Sequence, residues 1–423
     1  MKANELKKLI SEGAIERYAH LYSDTEKQKE RFINAIDSFT SLYGDGRDLY
    51  ILSVPGRSEI LGNHTDHNRG LVLAGAIDRD IIAVAAKNES GTVNIKSEGY
   101  NEDSVSLADI KNPDNFDNYS SASLIAGVAA GLLNAGHEIG GWDAYSTSDV
   151  LKGSGISSSA AYEVMIGNIF NHLYNDGSVE NVEIAKISQF AENIYFGKPC
   201  GLMDQMACAV GGFVFMDFES PKSPVVMPIA FSLSDAGYAL SIVNTGGNHA
   251  DLNEDYASVP AEMKSVAALF GKEVLRGITE AQIVARAPEI RESVGDRALM
   301  RAIHYLREND RVIGARDALI AKDIDRFFAI VKASGASSFQ YLQNVYTTKN
   351  VSEQGLSLAL MLTDGFNAGE GAFRVHGGGF AGTIQAYIKK EKVDSYADYM
   401  NGVLGAGAVM KLNIRPVGAC RLF

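Results

Sequence analysis

Hydrophobic and polar positions divide the chain into strand-like and helix-like stretches. Residues 1–42 read as charged helix and predict a surface lead-in. At Leu49 the pattern changes: LYILSV is a short apolar run ending at Pro55–Gly56, which predicts a strand that stops there. Ile81–Ala86, Thr92–Ser97, Trp142–Asp149, Gly211–Phe218 and Tyr238–Thr245 are further strand candidates. Ser121–Gly136 reads as a buried Ala/Gly-rich helix. After the serines near residue 158, Tyr162, Met165, Ile169 and Leu173 recur at helical spacing, with Ile166 and Phe170 widening the face. A second helix is expected from about Val179 to Tyr195. From about Pro260 to Leu362 the pattern is helical, and the end returns to strands around a helix at Asp394–Leu404. Strands and helices mix without a regular βαβ alternation, so the expected class is α+β in two domains, 1–235 and 236–423.

Composition narrows the function. Of 423 residues, 46% are hydrophobic and 22% charged, as in a globular protein. A formal charge of −13 argues against a general nucleic-acid binder, yet a few local cations suffice for an anionic small substrate. The N-terminus lacks an apolar signal core and no run reaches a membrane span, so no membrane association and a cytoplasmic location are expected. Cys200, Cys208 and Cys420 are odd in number and match no zinc spacing, which fits reduced thiols.

Three glycine-punctuated stretches carry candidate chemistry. KGSGISSSAA (Lys152–Ala161) lies between a strand and a helix, where glycines permit close approach and the first helical N–H groups form a phosphate seat. A simple N-cap explains one serine, not three after Gly-x-Gly. No Gly-Lys-Ser/Thr follows, so this is not a Walker A loop. Phosphoryl transfer to an alcohol needs one carboxylate for Mg²⁺ and one to accept or position the hydroxyl proton. Glu192 suits the first role and Asp204 the second, although either acid alone would read as surface. HGGGFAG (His376–Gly382) matches G-x-G-x-x-G, but a strand follows instead of a helix, which predicts a tight strand–loop–strand and not a dinucleotide fold. PGRSEILGNHTDHNRG (Pro55–Gly70) packs an arginine and a polar cluster into one short segment.

Four of these segments, PGRSEILGNHTDHN, GSGISSSAA, the AEN…CGLMDQ stretch (Ala191–Gln205) and RVHGGGFAGTI, resemble in this order the galactokinases of the GHMP kinase family. The resemblance runs from about Leu49 to Ile384, with a weaker match at NEDYASVP around Tyr256. It implies a two-domain GHMP-kinase-like α+β fold with the active site in the interdomain cleft, and ATP-dependent phosphorylation of the anomeric hydroxyl of galactose or a close relative. By the same resemblance Gly153, Ser154, Gly155, Ile156, Ser157, Ser158 and Ser159 would hold the ATP phosphates. Ser159 with Glu192 would bind Mg²⁺. Asp204 would be the base, and Arg57 would stabilise the transferred phosphoryl group. Asn63, His64, Asp66 and Tyr256 would line the sugar.

The chain also departs from that pattern. The family signature Glu-His-Thr-Asp-Tyr here reads Asn63-His64-Thr65-Asp66-His67. Asparagine donates as well as accepts, and a negative charge is lost. One alternative follows: a pocket that takes an anionic relative such as galacturonate, with Asn63 and a histidine donating. A second is a sugar sensor that binds without turnover, against which the intact SSSAA and Asp204 speak. His20, His137 and His172 read as structural or solvated, and Trp142 as core.

Overall fold

The apolar run at Leu49 does not stop at Pro55–Gly56. In the computed structural model it forms β1 (Tyr50–Leu61), which continues through both residues. Burial overrides the breaker signal: ten of its twelve positions are buried. Gly56 is required there, because a Cβ would lie 2.7 Å from the carbonyl oxygen of Ile156. Every residue is described except 23, 151–154, 199, 221–222 and 248–251. The loop residues Gly153 and Ser154 therefore lie outside the described residues.

The chain forms two compact units. One comprises Met1–Arg57, Ala76–Gly212 and Arg415–Phe423; the other comprises Ser58–Gly75 and Phe213–Ile414. The expected single break near residue 235 gives way to crossings after Arg57, Gly75, Gly212 and Ile414. Two of these fall inside β1 and the long strand β2 (Leu71–Lys87), where no linker composition marks them.

In the first unit the strand order is β12-β1-β2-β5-β3-β4, with β3 at Thr92–Ser97, β4 at Glu102–Ser106, β5 at Trp142–Ser148 and β12 at Cys420–Arg421. β3 runs parallel to β5, and β4 antiparallel to β3. The N-terminal helices Ala3–Ser11 and Thr25–Tyr43 are no surface lead-in. Their apolar faces, Leu6, Ile10, Phe32, Ile36 and Phe39, are buried in one cluster with Ile82, Val84 and Phe423. The helix at Ser121–Asn134 has a glycine where another helix crosses: a Cβ on Gly127 would sit 2.8 Å from the Cα of Ala191. That approach seats the segment carrying Glu192. Trp142 is core, edge-on to Phe170 at 5.5 Å.

In the second unit the first residues of β2 pair with β6 (Phe213–Asp217), and β6 with β7 (Val225–Ile229), both antiparallel. A separate antiparallel sheet has the order β11-β8-β10-β9, from Val409–Leu412, Tyr238–Asn244, Thr383–Lys389 and Ala372–His376. The β9–β10 hairpin is the expected strand–loop–strand, with Thr383 opposite His376 across the glycines. Helices Asn253–Leu269 and Asp296–Ile320 contribute to one core cluster, and Gly355–Asn367 and Val393–Leu404 to another. Among the described residues no helix is long and apolar enough to cross a membrane, and all three cysteines are unpaired.

Candidate active site

Strand β1 delivers Arg57 to the Gly/Ser turn. Its backbone N–H bonds to Ile156 O at 3.1 Å, and its Nη1 to Gly155 O at 2.6 Å. The guanidinium then forks onto Asp204: Nε donates to Oδ1 at 2.6 Å and Nη2 to Oδ2 at 2.7 Å. This two-point fit is the geometry in which guanidinium and carboxylate bind most strongly. Ser157, at φ +59°, also donates its hydroxyl to Asp204 Oδ2, so in this structure it faces the acid. Burial pushes the Asp204 carboxyl up, but the Arg57 charge and the donated hydrogen bonds outweigh it and hold the group below the usual carboxylate range. Asp204 is thus an ionised acceptor, and its side chain keeps 33% exposure. Ser158 and Ser159 begin the helix Ser158–Tyr174 and are half-buried.

The helix Met203–Val210 carries Asp204 and Gln205 side by side. While Asp204 meets Arg57, the Gln205 amide meets two buried acids, at 2.7 Å to Glu192 Oε2 and 3.1 Å to Glu163 Oε2. Glu192 lies in a wide helical turn, Ala191–Phe196, that extends the expected second helix, and its Oε1 accepts from Lys198 Nζ at 3.2 Å. Burial, then the Glu192 charge, pushes Glu163 well above the ordinary glutamate value. Glu163 Oε1 and Gln205 Oε1 are buried without a hydrogen-bond partner. Hard oxygen donors, two of them orphaned, suit Mg²⁺ beside Glu192. Among the described residues no group of three or more His, Cys, Asp or Glu could hold a metal, so a cation here would need its remaining ligands from hydroxyl, water or phosphate. Sequence reasoning passed over Glu163 and Gln205; their signal was a buried acid on the inner face of the serine helix and an amide next to the base.

In the second unit the signature loop grips the glycine hairpin. Asn63 is fully buried, and its amide donates to Gly377 O at 2.6 Å and Glu59 Oε1 at 3.1 Å. Its Oδ1 accepts from Asn344 Nδ2 at 2.7 Å. His64 holds Gly378 O at 2.9 Å through Nε2; a carbonyl only accepts, so Nε2 carries the proton and Nδ1 is a free acceptor lone pair. Burial lowers its pKa to about 4, and the ring is neutral at pH 7. Tyr256 donates to Gly379 O at 2.7 Å. A Cβ on Gly378 would lie 2.3 Å from the Tyr256 ring, and one on Gly379 2.0 Å from Asn344 O, so both positions need glycine. Asp66 opens the turn Asp66–Asn68 and accepts from the His67 N–H at 3.0 Å.

This arrangement bears on two expectations. In this structure the Asn63 amide is bonded within the protein, through both donors and its oxygen. The donors that an anionic sugar would need, from Asn63 and His64, are committed to carbonyls and to Glu59, itself a buried carboxylate beside Arg374 at 3.5 Å. The loop is held from behind by the helix Asp296–Ile320, which lies in the expected helical stretch but to which sequence reasoning gave no role in the site. His304 bonds Asn63 O at 3.1 Å, Tyr305 donates to Asn68 O at 2.9 Å, and Glu308 and Asn309 accept from Gly62 N–H and Leu71 N–H.

An aromatic shelf adjoins the Glu192 turn. Tyr119, 68% exposed and at φ +63°, lies edge-on to Phe196 at 5.4 Å, and its N–H bonds Phe196 O. Ile194 of the same turn is also exposed. The Tyr119 ring thus keeps a face open to solvent next to the turn that carries Glu192.

Residues 37–87 match the galactokinase galactose-binding signature, and residues 123–212 the N-terminal domain of GHMP kinases. A galactokinase of Actinobacillus pleuropneumoniae serotype 3 is 31% identical over 85% of this chain and 90% of its own length. One of Glaesserella parasuis serovar 5 is 33% identical over 81% and 85%. The crystal structure of Lactococcus lactis galactokinase complexed with galactose superposes with a TM-score of 0.74 at 22% identity, covering 91% of this chain and 98% of that one. A Methanococcus jannaschii mevalonate kinase gives 0.61 at 13% identity, covering 87% and 98%, so the fold is shared more widely than the activity.

Proposed function

The chain belongs to the galactokinase family, and from that premise we propose that it transfers the γ-phosphoryl group of ATP to the anomeric hydroxyl of galactose, with Asp204 and Arg57 as catalytic residues. The observation that carries the proposal is the forked Arg57–Asp204 pair with Ser157 on the same carboxylate. Asp204 accepts the hydroxyl proton. A carboxylate held this acidic is a weak base, which suffices because a loose phosphoryl transition state asks little activation of its nucleophile. Arg57 offers the same donors it now spends on Asp204 and Gly155 O to the phosphoryl oxygens as charge spreads onto them.

Gly155, Ile156, Ser157, Ser158 and Ser159, with Gly153 and Ser154 before them, receive the phosphates at the N-terminus of the serine helix. The adenine ring lies on Tyr119. Ser159 and Glu192 would hold Mg²⁺, which would supply charge neutralisation to the phosphates. His64 Nδ1 and Asp66 accept from sugar hydroxyls, Tyr256 bounds the sugar, and Asn63 acts behind them as the anchor of the glycine loop. This acceptor-rich lining matches a neutral polyol better than a uronate. The unpaired thiols support a reducing, cytoplasmic setting.

The test is coupled ADP release over galactose, galacturonate, N-acetylgalactosamine, arabinose and glucose. The proposal expects galactose to be fastest and galacturonate poor. Equal or better turnover of galacturonate would discard the sugar assignment, and binding of galactose without ADP release would favour a sensor.

A further inference from the structure

We propose that Gln205 is the positioning residue for the metal-binding carboxylate, and that Glu163 fixes Gln205 in turn. This rests on the reading of Glu192 as the Mg²⁺ ligand. Gln205 is fully buried, and its amide has only two N–H donors. Its nitrogen lies 2.7 Å from Glu192 Oε2 and 3.1 Å from Glu163 Oε2, with Cys200 Sγ a weaker third acceptor at 3.7 Å. Splitting the donors between two acids locks the amide plane, since the head group cannot turn without losing both bonds. Glu192 Oε2 is thereby occupied. Its other oxygen, Oε1, meets the half-exposed Lys198 ammonium at 3.2 Å, and the Cys200 thiol also bonds to this carboxylate. The geometry therefore selects Oε1 as the oxygen turned to a cation, with the lysine at the place a cation would take. Gln205 also follows Asp204 directly on one short helix, so the base and the metal carboxylate are registered by a single turn of backbone. Neighbours that orient a ligating carboxylate in this way typically change metal affinity 10–100-fold when removed.

The experiment measures binding of a non-hydrolysable ATP analogue by calorimetry, with Mg²⁺ and with EDTA, for the parent and for Gln205→Met and Gln205→Asn. Methionine keeps the volume without donors; asparagine keeps the donors but is one methylene too short to span both acids. In the parent, Mg²⁺ should tighten the analogue. In each folded variant that tightening should shrink about 10-fold or more, with affinity in EDTA unchanged. Full Mg²⁺ tightening in either folded variant overturns the role of Gln205. A parent that binds no analogue at all overturns the kinase reading instead. The parent itself gives an independent check: a crystal structure with Mg²⁺ and the analogue should keep Gln205 Nε2 on Glu192, and a Glu192 turned away from Gln205 would refute the proposal whether or not the variants fold.

Discussion

The two polar clusters use their side chains in opposite ways. In the first unit the predicted residues bind side chains through charge: Arg57 forks onto Asp204, and Glu192 meets Lys198. In the second unit the predicted residues bind backbone: Asn63, His64 and Tyr256 each hold one carbonyl of three successive glycines. Each of these pairs keeps one partner open to solvent, Asp204 and Lys198, which leaves room for a ligand to replace one side. A buried amide whose donors and acceptor are all used leaves none. The first cluster is therefore built to change partners during a reaction, and the second to stay fixed and present a shape.

The sharpest way to break this contrast is to remove the base. Asp204→Ala should lower kcat by about 10²-fold or more, with binding of the ATP analogue kept. Unchanged turnover in the coupled assay would remove Asp204 from the mechanism. Arg57→Lys comes next: one ammonium cannot fork onto a carboxylate or span a phosphoryl group, and kcat should fall about 10²-fold. If the lysine variant matched the parent, the two-point geometry would be irrelevant to the chemistry.

On the fixed side, Asn63→Ala should act first on stability. It strands Gly377 O and the Asn344 amide in the interior, at a cost of about 2–3 kcal/mol, read as a lower urea midpoint. A variant as stable as the parent would mean the clamp is decorative. The pH response should also come from this side. His64 and His304 are both lowered to about 4 by burial, against about 6.5 for an unfolded histidine. Between those values the unfolded chain binds more protons than the folded one, so stability is full above about pH 6.5 and falls as pH drops toward 4. His304→Gln should flatten that slope in thermal melts at pH 7, 6 and 5; an unaltered slope would exclude His304 as a source. The smallest expected effect is Tyr119→Ala, with KM for ATP raised about 2–10-fold and KM for galactose unmoved.

Much of the molecule could be read before its structure. Strands of alternating or continuous apolar residues, such as Thr92–Ser97, and the helix after the serines appear where the pattern puts them. Local propensity misled where tertiary burial decided: Pro55–Gly56 reads as a stop, yet β1 passes through it because nearly every residue there is buried. The division into units was illegible for the same reason, since two of the four crossings lie within strands. Residue types pointed to Arg57 and Asp204, but nothing local told that Asn63 faces inward. That depends on Asn344 and Gly377, about 280 and 310 residues further along the chain. Glu163 and Gln205 were missed because a carboxylate on a helix is normally solvated, and only the packing of three helical segments buries this one.

The central claim is that the Arg57–Asp204 pair drives phosphoryl transfer to a neutral sugar. Phosphorus NMR of the parent with ATP, Mg²⁺ and galactose tests it most directly. The account predicts a new phosphomonoester signal coupled to the anomeric proton, growing in step with ADP and absent with Asp204→Ala. ADP formed at the same rate without sugar, or phosphate on a carbon other than the anomeric one, would contradict it.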